Sequence, residues 1–365
     1  MGKKIRVGVL FGGKSAEHEI SLISAKNVIE AMDKEKYDIT LIGIDKNGQW
    51  HVRDSEHFLN HIDNAKLIHL EKSSHHVALV PSDQGQKLIS LSKQLPDQPL
   101  DVIFPVLHGT YGEDGTVQGL LKLAGIAFVG AGVLGSAVGM DKDVMKRLLK
   151  EAGLPTAKFM AFTQQQKDRY SFEIIVEKLG LPFFVKPANL GSSVGISKVK
   201  SKNDFADALE YAFLYDRKAI LEEFIPGREI ECSVLGNHDP ICSLPGEIIP
   251  RHEFYSYEAK YLDENGALLK VPADLSSATI ERVQQLALDA YKVLCCEGMG
   301  RVDFFLKANG DLYINELNTI PGFTQISMYP KLWEVSGISY AHLIDELIRL
   351  AIERFEQEKK LKTTF

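Results

Sequence analysis

The chain has 365 residues, is 45% hydrophobic and 25% charged, and carries a formal net charge of −7, the profile of a soluble globular protein of two or three domains. Disorder and collagen-like repeats are excluded, and the acidic balance argues against nucleic acid or a membrane surface as a partner, since both are polyanions. Cys232, Cys242, Cys295 and Cys296 form no C-x-x-C pair and have no histidine at zinc spacing, which fits a reducing cytoplasm.

Ile5–Phe11 reads as a buried strand; only seven residues separate Arg6 from Lys14, too few for a signal peptide. Ser15–Met32 follows as a helix with Ser15 as its N-cap, then Ile39–Asp45 as a second strand. Strands alternating with helical periods predict a parallel sheet covered by helices, an α/β domain over residues 1–130. The polar stretch from Asn47 to about Pro99 looks like a peripheral insertion, after which Asp101–His108 resumes as a buried strand. Between Lys122 and Asp141 lie 18 uncharged residues, but five are glycine, so this run is a connection between domains and not a membrane span.

Beyond Asp141 the texture changes to an α+β pattern with antiparallel sheets. Lys142–Ala152 reads as a helix, and Pro182–Lys186 and Val194–Val199 as an antiparallel pair joined by a small-residue loop. Ala219–Glu222 and Glu229–Leu235 are further strands, and Tyr340–Glu358 is a helix with Leu343, Leu347, Ala351 and Phe355 on one docking stripe. Domain boundaries are expected at 1–130, 131–224 and 225–365.

Two glycine motifs are decoys. Gly8-Val-Leu-Phe-Gly-Gly13-Lys14-Ser15 matches the Walker A expression letter by letter, but Val9, Leu10 and Phe11 belong to a buried strand and not to an exposed phosphate loop. Gly130-Ala-Gly132-Val-Leu-Gly135 matches a dinucleotide fingerprint, yet the acidic residue about 20 positions on, Glu151, falls near the end of a helix.

The segment 301–318 carries the chemistry. Asn309-Gly310 between alternating runs predicts a two-residue type I′ hairpin, which sets Asp303 opposite Glu316 and Arg301 opposite Asn318 on one face. Facing carboxylates repel unless a cation lies between them, and the all-oxygen set Asp303, Glu316 and Asn318 suits magnesium. Removing one carboxylate is therefore expected to relieve strain in the metal-free protein. A magnesium site implies phosphates, for which Lys142, Lys186 and the loop Gly191-Ser-Ser-Val-Gly195 are the candidate partners.

Together these segments resemble the D-alanine–D-alanine ligases of the ATP-grasp superfamily. The matching motifs are Phe11-Gly-Gly-Lys-Ser-Ala-Glu-His-Glu-Ile-Ser-Leu22, Leu107-His-Gly109 with Gly112-Glu-Asp-Gly-Thr116, and Met140-Asp-Lys142. They continue through Val185-Lys-Pro187 with Gly191-Ser-Ser-Val-Gly195, Tyr257-Glu-Ala-Lys-Tyr261, Gly300-Arg-Val-Asp303, and Asn315-Glu-Leu-Asn318 with Pro321-Gly322. The resemblance implies an ATP-grasp fold: a Rossmann-like N-terminal domain and two α+β domains whose antiparallel sheets sandwich ATP. It also implies an ATP-dependent reaction with two Mg2+ or Mn2+ ions, in which one D-alanine is phosphorylated and a second attacks the acyl phosphate, and it favours a homodimer.

By the same resemblance, Glu17 holds the first substrate's ammonium and forms a set with Ser192 and Tyr261. Arg301 and the Gly322 N–H serve the oxyanion. Lys260, Ser327 and Met328 form the pocket for the second carboxylate, with His108 nearby. Lys142 and Lys186 attend the nucleotide's phosphates, Ser192, Ser193 and Asn315 also bind the nucleotide, and Glu222, Glu223, Phe224, Ile225 and Glu229 attend its base and ribose. Lys260-Tyr261 favours the dipeptide product, and Leu190 departs from the polar residue expected before the flap glycine. The alternatives are a D-alanine–D-lactate ligase or another ATP-grasp carboxylate–amine ligase.

Overall fold

The computed structural model describes residues 3–53, 59–60, 68–71, 75–81, 87–91, 98–169, 171–250 and 267–362. The apolar run Ile5–Gly12 is the centre of a five-stranded sheet ordered Ala127–Phe128, Val102–Val106, Ile5–Gly12, Tyr37–Ile44, Trp50–Arg53. The first four strands are parallel and the last is antiparallel. Val7, Val9, Leu10 and Phe11 are completely buried, because a parallel sheet is covered on both faces and its strands are apolar throughout. That burial removes the Walker reading of Gly8–Ser15.

Three local expectations change. The first helix spans His18–Ala31, with Glu17 at its N-cap; Ser15 does not cap it but accepts the Glu17 N–H at 3.1 Å. The stretch after Asn47 is not wholly peripheral: Trp50–Arg53 supplies the sheet's edge, and Val77, Leu79 and Leu88 pack with Leu10 and Ile42. The uncharged run at 123–140 divides into the strand Ala127–Phe128 and the helix Val133–Met140. No helix among the described residues is long and apolar enough to cross a membrane. The next helix, Lys142–Glu151, follows directly, so the Gly130–Gly135 fingerprint opens no βαβ unit.

The second sheet is antiparallel, ordered Phe159–Thr163, Lys218–Glu223, Phe183–Pro187, Ser197–Val199. Helices Phe172–Leu179 and Lys202–Phe213 cover one face through Ile175, Leu209 and Ala212. The third, also antiparallel, runs Ala267–Lys270, Gly246–Pro250, Arg228–Gly236, Gly298–Leu306, Leu312–Asn318, with Ile241–Cys242 joined to Arg228–Gly236. Helix Ser277–Val293 seals its back with Val283, Ala287 and Ala290.

Helix Tyr340–Glu358 returns to the first sheet. Leu343, Leu347 and Ala351 lie in one core with Val7, Phe104, Met299 and Phe323. Arg354, buried at its end, donates to Gly130 O at 2.5 Å and Phe128 O at 2.9 Å, with its guanidinium 4.6 Å from the Phe128 ring. Segments of all three sheets therefore meet around the open faces that form the site.

Candidate active site

Strands Gly298–Leu306 and Leu312–Asn318 alternate buried and half-buried residues, so Arg301, Asp303 and Phe305 share the face away from the core. Asp303 lies opposite Glu316 and Arg301 opposite Asn318, as the sequence indicates. The turn differs from the expected one. Leu306 pairs with Leu312, Lys307 N donates to Asp311 O at 2.9 Å, and Gly310 alone takes a positive φ of 88°, which describes a longer turn than type I′. This displaces the register by one residue, and a bulge at Asn315, between the Asp303–Glu316 and Phe304–Ile314 pairs, restores it.

The carboxylates are neutralised, not strained. Arg301 donates to both oxygens of Asp303 at 2.7 and 2.8 Å, and Asn318 Nδ2 adds a third bond at 3.0 Å. Lys142 Nζ lies 3.2 Å from Glu316. Protein cations thus stand where a metal's charge would act, which overturns the expectation of unrelieved repulsion. The hard-oxygen donors Asp303, Glu316 and Asn318 fit a magnesium ion that would displace Arg301 and Lys142. Among the described residues no group of three His, Cys, Asp or Glu side chains is placed to hold a metal, so the amide of Asn318 is needed to complete the set.

Glu231 was missed in the sequence. It pairs with Asp303 across the strands, is 5% exposed, and lies 3.0 Å from Arg301 Nε. Its signal was the spacing Glu229-x-Glu231, which puts both carboxylates on one strand face. Lys146 was missed as well. Four residues after Lys142 on the helix, and so on the same side, it is 1% exposed and donates to Asn315 O at 3.0 Å. It also lies 3.1 Å from Glu222, whose other oxygen accepts from Lys186 at 2.5 Å. Burial alone would raise the Glu222 carboxyl, but the ammonium groups of Lys146 and Lys186 bring it down to about 2.

The small-residue loop closes over this face. Lys142 Nζ donates to Leu190 O at 2.9 Å, Ser192 and Ser193 take positive φ of 52° and 60°, and Ser192 Oγ donates to Glu17. Two consecutive serines in the left-handed region are uncommon and hold the loop in a defined shape. Phe224 lies 6.1 Å from the Phe184 ring and under Lys198 Nζ at 4.5 Å, beside buried Ile225, making a flat apolar wall. Glu223 accepts the Lys158 N–H at 2.7 Å.

A clamp from the first sheet grips residues 320–323. His108 Nδ1 meets Ile320 O at 3.2 Å, its Nε2 meets Ser24 Oγ at 3.2 Å, and Ser24 Oγ accepts the Phe323 N–H at 3.4 Å. Burial holds the His108 imidazole down at about 4, the Ile320 carbonyl opposing, so it is neutral, donating from Nδ1 and accepting at Nε2. Glu113 accepts from Gly109 N at 2.6 Å and Ile320 N at 3.3 Å, and burial, then the charge of Glu17, push its carboxyl well above the usual range. Gly322 sits in the clamped loop, where a Cβ would come 2.7 Å from Ser327 Oγ. Ser327 precedes helix Met328–Val335, whose N-terminal N–H groups favour a carboxylate.

Of the residues singled out in the sequence, Glu17, His108, Ser192, Glu229, Arg301, Asp303, Asn315, Glu316, Asn318, Gly322, Ser327 and Met328 line one cleft of about 470 Å³, ample for a small ligand. Lys142, Lys186, Ser193 and Glu222–Ile225 are not among its lining residues. Lys260 and Tyr261 lie outside the described residues.

The chain resembles known proteins over its full length. Residues 6–131 match the model for the D-ala D-ala ligase N-terminus and residues 148–349 that for the D-ala D-ala ligase C-terminus. D-alanine–D-alanine ligase of Shouchella clausii is 56% identical over 100% of this chain and 99% of its own. D-alanine–D-alanine ligase A of Escherichia coli is 51% identical over 99% of this chain and 100% of its own. Among solved structures, the D-alanine-D-alanine ligase from Coxiella burnetii superposes with a TM-score of 0.86 at 40% identity, covering 98% of this chain and 97% of that one. The VanG D-Ala:D-Ser ligase from Enterococcus faecalis gives 0.83 at 36%, covering 96% and 100%. Three sheets that converge on an acidic cleft holding Arg301, in the ATP-grasp arrangement of these relatives, and full-length identity above 50% place the chain in the D-alanine–D-alanine ligase family.

Proposed function

We propose that this enzyme joins two D-alanine molecules at the expense of ATP, through a D-alanyl phosphate, to supply a dipeptide for peptidoglycan synthesis. The observation that carries the reading is the convergence on one cleft of Glu17 from the start of the first helix, Ser192 from the small-residue loop and the Arg301–Asp303 pair from the third sheet. Glu17, at a helix N-terminus and bonded to Ser192, receives the ammonium of the first D-alanine and orients its carboxylate toward the nucleotide. Lys142 and Lys186 are released from Glu316 and Glu222 to bind phosphate oxygens, with the loop at 191–195 lying over them.

Bound magnesium or manganese, two ions on Asp303, Glu316 and Asn318, would offset the charge of the two anions that must meet. Arg301, freed from Asp303, and the Gly322 N–H meet the developing oxyanion as the second amine attacks and phosphate departs. Ser327 and the helix start at Met328, with Lys260, hold the second carboxylate. Phe224, Ile225, Glu222, Glu223 and Glu229 form the base and ribose pocket, and Ser193 and Asn315 complete the nucleotide site. We extend the reading to a cytoplasmic homodimer, supported by four free thiols and by the family resemblance. Incubation with ATP, magnesium and D-alanine should release phosphate and yield the dipeptide. Phosphate release that appears only when D-lactate or D-serine is added would reject D-alanyl-D-alanine as the product.

A further inference from the structure

We propose that Lys146 is a positioning residue for base selection: as the resident counter-ion of Glu222 it keeps that carboxylate a hydrogen-bond acceptor, so that a 6-amino purine is chosen over a 6-oxo purine. The inference rests on the reading that Glu222 meets the nucleotide base.

Two lysines flank one buried carboxylate, and they are not equivalent. Glu222 is 2% exposed, and its register partners Phe159 and Phe184 carry no charge. The charged groups that face it are Lys146, from helix Lys142–Glu151, and Lys186, from the adjacent strand. Lys186 ends a strand beside the small-residue loop, where it can turn to a phosphate. Lys146 cannot turn away. It is sealed from solvent and tied to the bulge by its bond to Asn315 O at 3.0 Å. Its Nζ lies 3.1 Å from Glu222 Oε1, and a carboxylate oxygen approached by one cation keeps a lone pair for a further donor.

When Lys186 moves to the phosphates, Lys146 is the only remaining cation at Glu222 among the described residues. Without it, a carboxylate buried to this degree would take up a proton, since an unpaired buried charge is costly. A neutral carboxyl has an O–H donor. It then suits the 6-oxo group of inosine or guanine, which accepts, as well as the 6-amino group of adenine, which donates. A site built to accept from a polar group discriminates strongly only while its own protonation is fixed.

The test is the ratio of kcat/KM for ATP to that for inosine triphosphate, with magnesium and D-alanine saturating, from about pH 6 to about pH 9. The parent ratio should be high and flat. Lys146→Met should lower it by about tenfold or more at the acid end, and the ratio should recover as rising pH ionises Glu222. Loss of fold depresses both nucleotides together and leaves the ratio unmoved, so the ratio separates positioning from structure. Glu222→Gln is the control. If it collapses the ratio and Lys146→Met does not, the role given to Lys146 is overturned. If Glu222→Gln leaves the ratio intact, the base is not read by Glu222 and the underlying assignment fails. Should Lys146→Met not fold, Lys146→Gln replaces it, and a parent ratio that falls toward acid pH also overturns the proposal.

Discussion

Replacing Glu316 by Gln removes one charge while nearly preserving volume, and it tests whether the facing carboxylates strain the metal-free protein or support it. Glu316 lies 3.2 Å from Lys142 Nζ, with side chains 23% and 8% exposed. At an effective dielectric of about 20 that separation gives a gross attraction of about 5 kcal/mol. Desolvation and the partial exposure of Glu316 reduce it, and the net cost of breaking the pair is about 1–3 kcal/mol. Relief of repulsion from Asp303 contributes little, because Arg301 and Asn318 already neutralise that carboxylate. Urea denaturation of the metal-free, nucleotide-free protein near pH 7.5 should therefore show Glu316→Gln to be less stable than the parent. A double-mutant cycle with Lys142→Met should recover most of the difference as coupling. Magnesium with ATP should stabilise the parent far more than the variant. A metal-free variant as stable as the parent, or more so, would refute the argument.

In His108 the folded imidazole titrates near 4 and the unfolded one near 6.5, so the unfolded chain binds more protons between those values. Stability then falls by up to about 3 kcal/mol as pH drops through that window. His108→Gln should flatten this acid limb in urea midpoints at about pH 7 and about pH 5, with a residual slope from buried His18, whose pKa burial also lowers; an unchanged slope would exclude the assignment. Gly322→Ala places a Cβ against Ser327 Oγ and should lower kcat about a hundredfold with nucleotide affinity retained, whereas an unaffected kcat would remove Gly322 from the oxyanion site. Glu231→Gln deprives Arg301 of its alternative partner, leaving it held more firmly on Asp303. The magnesium concentration for half-maximal rate should rise several-fold, and a lower requirement would contradict that competition.

The sequence indicated the facing of Asp303 and Glu316 through two departures that cancel. The turn at Asn309-Gly310 is longer than its dipeptide implies, and the bulge at Asn315 compensates, a departure that the alternation of the strand does not announce. Strand burial was legible: continuous apolar runs gave the parallel sheet, and the position of Val9–Phe11 within one exposed the Walker match as accidental. Helix starts were not, since Ser15 has the chemistry of a cap but spends its oxygen on the Glu17 N–H. Lys146 and Glu231 were readable from i,i+4 and i,i+2 spacing. They were overlooked because their roles are to neutralise other side chains, and a buried counter-ion becomes visible only when its partner's surroundings are known. The Ser24–His108 clamp reaches the loop it holds across sequence separations of 299 and 212 positions, a relation that local pattern does not encode.

The packing of helix Tyr340–Glu358 against the first sheet has a consequence for the nascent chain. The sheet built from Ile5–Gly12 and Val102–Val106 is complete in sequence by residue 128, but Leu343, Leu347 and Ala351, which share its core, are translated some 200 residues later. At roughly 5–20 residues per second that delay is on the order of ten to forty seconds. Throughout it, the face bearing Val7 and Phe104 has partial cover, from Leu22, Ala25 and Val28 of the first helix, and Phe128 O and Gly130 O lack the Arg354 guanidinium. The first sheet therefore reaches its final packing only after the C-terminal helix has been made, although its own strands come first in the chain.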